Sequence, residues 1–331
     1  MFYQLTFGQL GGRRSFEFLN VPSDTRIASM GGIHVSLSDW DPNMIFSNPA
    51  SLNPDMYGHV SFNHAFYYAN INISRLVYSH TFERTGSWGL GIQNVNYGKI
   101  NGFDPSGNPI GEFSANELVV LAGNARRIGN FSLGVNAKIA YSSISGYHAS
   151  SFLFDFGGIY FHPTEDLKVG LNIKNIGFLL SNYTPSSDTY LPFDVQVGVS
   201  YKPQNMPLRF SLTAYNLYKA NLLYDNPDGD LQQDDPSTFS KIASHFNFGA
   251  EIILTKNINL RAGYNYLIRR ELKLEQKTGG AGLSFGMMVK VSYFEFSYSR
   301  ATYHVAGGIN YIGITSNLSS FYRKSMVEIN D

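Results

Sequence analysis

The residues of this chain that could do chemistry are few and scattered. Eight histidines, His34, His59, His64, His80, His148, His162, His245 and His304, fall at no metal-ligating spacing such as H-E-x-x-H or H-x3-H. His59 and His64 stand five apart, on opposite faces of a predicted first strand. Cysteine is absent, which removes disulfides, thiolate zinc sites and cysteine nucleophiles. There is no G-x-S-x-G elbow and no phosphate-binding loop. "GGAGLSFG" is rich in glycine but falls in a predicted strand, where glycine permits close backbone approach or a bend. The most acidic stretch, "DNPDGDLQQDDP" at 225–236, lacks EF-hand spacing. It reads as a solvated surface loop, with weak Ca²⁺ binding or contact with a partner protein as alternatives. No catalytic group, metal site or cofactor is nominated, and the chain is not expected to be an enzyme.

The elements that carry these residues follow from composition and periodicity. Charged residues make up 15% of the 331, and aromatic residues another 15%. Soluble globular chains carry about 25% charged residues. A surface so poor in charge suits a protein whose outer face meets lipid. The formal net charge is zero, so nothing points to nucleic acid as a partner. No run of eighteen or more apolar residues exists, so no transmembrane helix is expected. "MFYQLTFGQ" lacks a basic start and a full apolar stretch, and residues 1–10 read as the remnant of a leader.

From about residue 58 the chain alternates with a period of two. In "FSLGVNAKIAYS", Phe131, Leu133, Val135, Ala137, Ile139 and Tyr141 form one apolar face, opposite Ser132, Gly134, Asn136, Lys138, Ala140 and Ser142. A helix would repeat near 3.6. Such runs predict fourteen strands, at 58–67, 71–83, 87–99, 113–127, 130–144, 150–162, 166–175, 192–203, 207–218, 245–255, 258–268, 279–289, 292–300 and 305–316. Many reach the roughly 9–11 residues that a tilted membrane strand needs. Links after even strands are tight ("RTG", "IG", "PTE", "PQNM", "TKN", "VKV"), and most links after odd strands are longer. Short turns on one rim and long loops on the other mark an outer-membrane barrel.

Aromatic residues fall where interface girdles are wanted. Trp88, Tyr160, Phe161, Tyr201 and Tyr293 lie at the short-turn rim, and Tyr97, Tyr141, Tyr215, Tyr218, Tyr264 and Tyr266 towards the long-loop rim. A soluble sandwich would also pair aromatics across strands, but fourteen strands with so little charge argue against it. Inward positions offer Lys138, Lys168, Lys174, Glu251, Arg261 and Glu295. With "TKN" as a three-residue loop, Glu251 faces Arg261 across a hairpin. A phase slip in "WGLGIQNVNY", from Trp88, Leu90 and Ile92 to Val95 and Tyr97, predicts a β-bulge.

Residues 1–57 do not alternate. Ser23 or Asp24 can cap a short helix that ends at Gly31. Asp41 before Pro42, and Asn48 before Pro49, repeat the pattern of an Asx cap with proline in the first helical position. Short helices need something to pack on, and a fourteen-strand barrel is too wide for its own side chains to fill. Residues 11–57 are therefore expected to form a hatch inside a barrel of residues 58–317, with 318–331 as a periplasmic tail. A periplasmic arm is the alternative.

"RIASMGGIHVSLSDWDPNMIFSNPASL" resembles the N-terminal hatch of the FadL-type barrel superfamily. There Met-Gly-Gly, an acidic pair and Asn-Pro-Ala recur in this order, here at Met30, Gly31, Gly32, Asp41, Pro42, Asn48, Pro49 and Ala50. A closer resemblance is to the PorQ family of the type IX secretion system, related to PorV. It rests on "GGRRSFEFLNVPSDTRIASMGG", "GVNAKIAYSSISGYHASSFLFDFGGIYF" and "SYSRATYHVAGGINYIGITSNL", which together span about residues 11–320. The tail "SSFYRKSMVEIND" is polar and does not end at an aromatic, so it adds nothing to the barrel reading.

The resemblance implies an all-β fold: a 14-stranded antiparallel transmembrane β-barrel, FadL-like, with a short helical hatch in its lumen. It implies an integral outer-membrane location, contact with outer-membrane lipid or lipopolysaccharide, and loops 101–112, 176–191 and 219–244 at the cell surface. It further implies a scaffold that holds PorZ, and through it PorU and PorV, while cargo is processed and attached. The alternative is FadL-like transport of long-chain fatty acids or other hydrophobic compounds. An apolar tunnel reaching a gap in the wall would favour transport, and a filled lumen would favour the scaffold.

Overall fold

The computed structural model describes residues 15–185, 189–223, 237–272, 279–304 and 307–321. The leader remnant at 1–10, the acidic stretch 225–236 and most of the tail lie outside them. Fourteen antiparallel strands close into one barrel: β1 (His59–Phe66), β2 (Asn72–Phe82), β3 (Gly86–Phe103), β4 (Pro109–Ile128), β5 (Phe131–Ile144), β6 (Tyr147–Phe161) and β7 (Asp166–Ser181). β8 (Asp194–Lys202), β9 (Leu208–Ala214), β10 (Phe246–Ile253), β11 (Ile258–Asn265), β12 (Leu283–Val291), β13 (Phe294–His304) and β14 (Gly307–Asn317) complete it. Closure is made by β1 on β14, from His59 opposite Asn317 to Phe66 opposite Asn310. No described helix is long and apolar enough to cross a membrane.

The alternation sets which face meets lipid. Phe131, Leu133, Val135, Ile139 and Tyr141 are exposed on the outside, and Ser132, Asn136, Lys138 and Ser142 are buried in the lumen. A slip of one residue would exchange these sets, so the burial pattern fixes the register. Glu251 stands opposite Arg261 as the hairpin arithmetic requires. The two-residue loop Ser145–Gly146 has positive φ at both positions, 50° and 85°, the geometry of a type I′ hairpin turn.

Several local expectations are corrected. The β3–β4 hairpin runs on to Phe103 opposite Pro109, so most of the 101–112 loop is strand. β7 likewise takes residues 176–181 from the next loop, and a helix, α2 (Thr238–Ala243), lies within 219–244. A second helix, α3 (Tyr266–Glu271), begins where β11 was expected to continue. The β12–β13 turn is Ser292–Tyr293 rather than "VKV". Gly279, Gly280 and Gly282 of "GGAGLSFG" precede β12 instead of lying in it. The bulge of β3 falls between Asn96 and Lys99, and pairing is unbroken from Gly86 to Asn96. The apparent phase slip is a change of lumen chemistry: Val95 and Tyr97 point inward where the interior turns apolar. Tyr97 bonds Glu117, and buried Tyr215 donates to the Asn265 carbonyl oxygen, so these two rings are not girdle residues.

Candidate functional site

Inside the barrel lies the segment from Ser15 to Tyr57, built of single turns between Asx caps. A 3₁₀ turn (Glu17–Asn20) leads to α1 (Thr25–Ser29), where the Asp24 carboxylate, not the Ser23 hydroxyl, accepts from the Ile27 N–H. Asp41 accepts from Asn43 N–H to open Pro42–Phe46, and Asn48 from Ala50 N–H to open Pro49–Ser51. Asn53 before Pro54 caps a further turn that the sequence reading did not single out. In each of the three Asx-Pro starts, proline occupies a position whose N–H would have no helical partner.

What holds these turns is a belt of inward-facing glycines on the barrel wall. A Cβ at Gly134 of β5 would lie 2.5 Å from the Ala50 nitrogen, and one at Gly89 of β3 would lie 2.5 Å from Ile45 Cδ1. Gly157 meets Asn48 in the same way, Gly170 the Val35 carbonyl, Gly263 the Met30–Gly31 peptide and Gly286 Ser29. The wall has been stripped of side chains where the hatch backbone touches it. Asn48 then reaches through the belt, its Nδ2 donating to the carbonyls of Val35 (2.7 Å) and Leu171 (3.2 Å). Asn247 of β10 donates in return to the carbonyls of Met30 and Ile33.

Near the short-turn end an ionic cluster joins hatch to wall. Arg26 makes a two-bond fork to Asp39, both at 2.7 Å, and reaches Glu251 of β10 at 3.0 and 3.1 Å. Glu251 also accepts from Arg261 at 3.1 Å and Arg209 at 2.9 Å. Trp40 packs its ring 5.8 Å from the Arg26 guanidinium and donates its indole N–H to Glu295. Burial opposes the charge on Arg26, but Asp39 and Glu251 outweigh it and raise its pKa further. Burial also works against ionised Asp39, yet Arg26 holds that carboxyl well below the usual range. Asp41 differs: burial pushes it up to about 6, Arg26 opposes, and Asp24 and Asp39 add to the rise.

Two further locks sit deeper. Arg75 of β2 pairs with Asp24 at 3.0 Å, donates to the Gln93 side-chain carbonyl, and lies 3.9 Å from the Phe46 ring centroid. Lys138 pairs with Asp155 at 2.6 Å, while Asn136 donates to the Ile45 carbonyl. Sequence reasoning found Lys138, Lys174, Glu251 and Arg261, and Asp24 as a cap, but missed Arg26, Asp39, Arg209 and Arg75 and the pairing of Asp24 with Arg75. The predicted motif is not one contact site. Met30 and Gly31 pack on β10–β12, Gly32 lies near Pro22 and Tyr303, Asp41 caps beside the cluster, and Asn48–Ala50 dock on β5–β7. Towards the long loops the lumen is apolar, with Phe16, Phe18, Ile73, Val95, Ile309 and Tyr311 in one buried group.

The barrel superposes on solved structures at low sequence identity. The Pseudomonas putida toluene transporter TodX superposes with a TM-score of 0.52 at 11% identity, over 89% of this chain and 96% of that one. The deltaS2 mutant of the TodX monoaromatic hydrocarbon channel gives 0.53 at 12% identity, over 90% and 97%. The likeness is one of fold, a closed 14-strand antiparallel β-barrel. In sequence, a UPF0164 protein of Treponema pallidum (strain Nichols) is 28% identical over 174 residues, 47% of this chain. The chain spans 42% of that relative's length. No family model matches.

Proposed function

We propose that this FadL-like barrel is a sealed, non-enzymatic outer-membrane platform of the PorQ kind. On this reading it holds the surface protein PorZ, and through it PorU and PorV, while secreted cargo is processed and attached. The observation that carries the reading is the filled lumen. Hatch residues lie against wall glycines on most strands, with hatch backbone touching those of β5, β6, β7, β10 and β11, and Arg26 ties the hatch to β9, β10 and β11 through Glu251, Arg209 and Arg261. A transporter must open a path through that contact, whereas a platform benefits from its rigidity. The β3–β4 hairpin, α2 and the loop after β7 would then present partner contacts at the cell surface, with Phe103, Ile110 and Phe239 exposed on them. Affinity purification from the native outer membrane tests this. Co-purifying large surface proteins are expected, and a barrel recovered alone or with lipid only would refute it.

One observation favours a second reading, transport of hydrophobic compounds. Pairing of β7 with β8 ends at Lys174 opposite Asp194, so residues 176–181 of β7 are paired only with β6. Beside this edge lies a cleft of about 590 Å³ lined by Ile176, Phe178, Leu179, Tyr190, Leu191 and Phe193, among others. Uptake of a radiolabelled long-chain fatty acid, dependent on this protein, would favour the second reading over the first.

A further inference from the structure

The outer face of the wall is not equally apolar all round. On β5 every outward residue over 131–141 is apolar or aromatic, and on β12 every one over 283–291. A strand tilted by about 40° climbs about 2.5 Å per residue, so these belts are about 20–25 Å tall. From β13 through the closure to β4 the belt is lower. It covers 294–298 on β13, 312–314 on β14, 60–62 on β1, 88–92 on β3 and 118–122 on β4. Those stretches are about 5–10 Å tall, and 76–82 on β2 about 15 Å.

Above the low belt, on the long-loop side, the outward positions are Arg300, Asn310, His64, Ser74, Asn94 and Asn116. Their direction is fixed by their neighbours: His64 lies between buried Asn63 and Ala65, Asn310 between Ile309 and Tyr311, and Asn94 between Gln93 and Val95. They join along the wall. The Tyr298 hydroxyl donates to Asn310 Oδ1 at 2.8 Å, and Arg300 reaches the same oxygen at 3.4 Å. His64 and Ser74 share a hydrogen bond at 2.9 Å, Ser74 stands opposite Asn94, and Asn94 donates to Asn116 at 2.9 Å.

This strip stands at levels that are apolar elsewhere. Counted from the short-turn end, His64 is five residues up its strand (59 to 64), as Phe248 is on β10 (253 to 248). Asn94 is eight up (86 to 94), as Ile139 is on β5 (131 to 139). A charge on the lipid face is costly at mid-depth and nearly free at the interface, and Arg300 has no carboxylate partner among the described residues. A bilayer meets a low apolar belt by thinning.

We propose that the barrel pinches the bilayer along β13, β14 and β1–β4, where headgroups and water on the long-loop side descend to the polar strip. The bilayer there is thinner than beside β5–β12 by about 10 Å. Phe66, its ring edge-on to His64 at 4.5 Å, then lies at headgroup level, where aromatic rings are favoured. The pinch is independent of whether the barrel serves as platform or transporter.

The chain has no cysteine, so single nitroxides can be attached through Asn310→Cys, Asn94→Cys, Ile139→Cys or Phe248→Cys. Barrels that keep heat-modifiable migration are placed one per nanodisc in dioleoylphosphatidylcholine. Power-saturation EPR then compares collisions with oxygen, which enters hydrocarbon, and with a water-soluble nickel chelate. Nickel is expected to dominate at Asn310 and Asn94, and oxygen at Ile139 and Phe248. The ratio should thus reverse between Asn94 and Ile139, which share one level. Dominance of oxygen at either Asn310 or Asn94 would overturn the proposal. So would exclusion of both reagents there, which would mean that a second copy covers the strip.

Discussion

The half of the lumen nearer the short turns sets Arg26, Arg209 and Arg261 against Asp39, Asp41 and Glu251. The half nearer the long loops packs Phe16 and Phe18 against Ile73, Val95, Ile309 and Tyr311, and keeps a cavity beside Lys174. Both halves are filled by the same hatch, yet by different physics. A polar network in low dielectric accepts only one arrangement, because each donor left without its acceptor carries a desolvation cost. Apolar contacts carry no such penalty for a small shift, so this half can tolerate an imperfect fit. Sealing is therefore concentrated at the glycine belt and the arginine cluster, and an open cavity remains above them.

Breaking the polar half should have the largest effect. Arg26→Ala leaves Asp39 and Glu251 short of a partner, a loss of about 3–5 kcal/mol for a buried pair. It should appear as a marked drop in the unfolding temperature of the purified barrel. An unchanged temperature would show that the cluster does not hold the hatch. Gly134→Val comes next, since its side chain needs the place of the Pro49–Ala50 peptide. A cost of about 1–3 kcal/mol and faster proteolysis of the hatch are expected. Gly158→Ala on the same hairpin, whose Cβ would meet only Leu133 at 3.7 Å, should do neither.

The third effect is a pH dependence. With its pKa raised to about 6 in the folded state, Asp41 binds its proton more tightly there than in the unfolded chain. Its contribution is therefore fully present below about pH 4, and fades as pH rises to 6, by about 2 kcal/mol. Asp39 has the opposite sign, because its pKa is depressed: its contribution is lost only at acid pH, below the ordinary carboxylate value. Asp41→Asn keeps a cap acceptor and should flatten the pH 4–6 slope in thermal melts while leaving the acid limb. A slope unchanged in that variant would assign it elsewhere. The smallest effect belongs to the apolar half. Ile309→Val should cost about 0.5–1.5 kcal/mol and leave the hatch as protease-resistant as before.

Strand number, faces and the Glu251–Arg261 register were legible because each is local or follows from a two-residue period. The β3 reading shows the limit: Gln93, Val95 and Tyr97 keep the inward phase, but a change from polar to apolar lining looks like a slip when only hydropathy is followed. Arg26 was invisible for a different reason. It is a lone cation on a one-turn helix, and its partners Asp39 and Glu251 are 13 and 225 residues away. A signal for the docking did exist in the inward phase of the strands. Gly134, Gly157, Gly170, Gly198, Gly249 and Gly263 alternate with outward residues, which is costly in a strand unless another backbone must approach.

The claim on which the account rests is that the hatch closes the barrel, and conductance across a planar lipid bilayer measures this directly. Wild-type barrels inserted at single-molecule level are expected to carry no steady ionic current, and Arg26→Ala barrels to open intermittently. A stable ohmic current through the wild type would contradict the account, whatever partners the barrel holds.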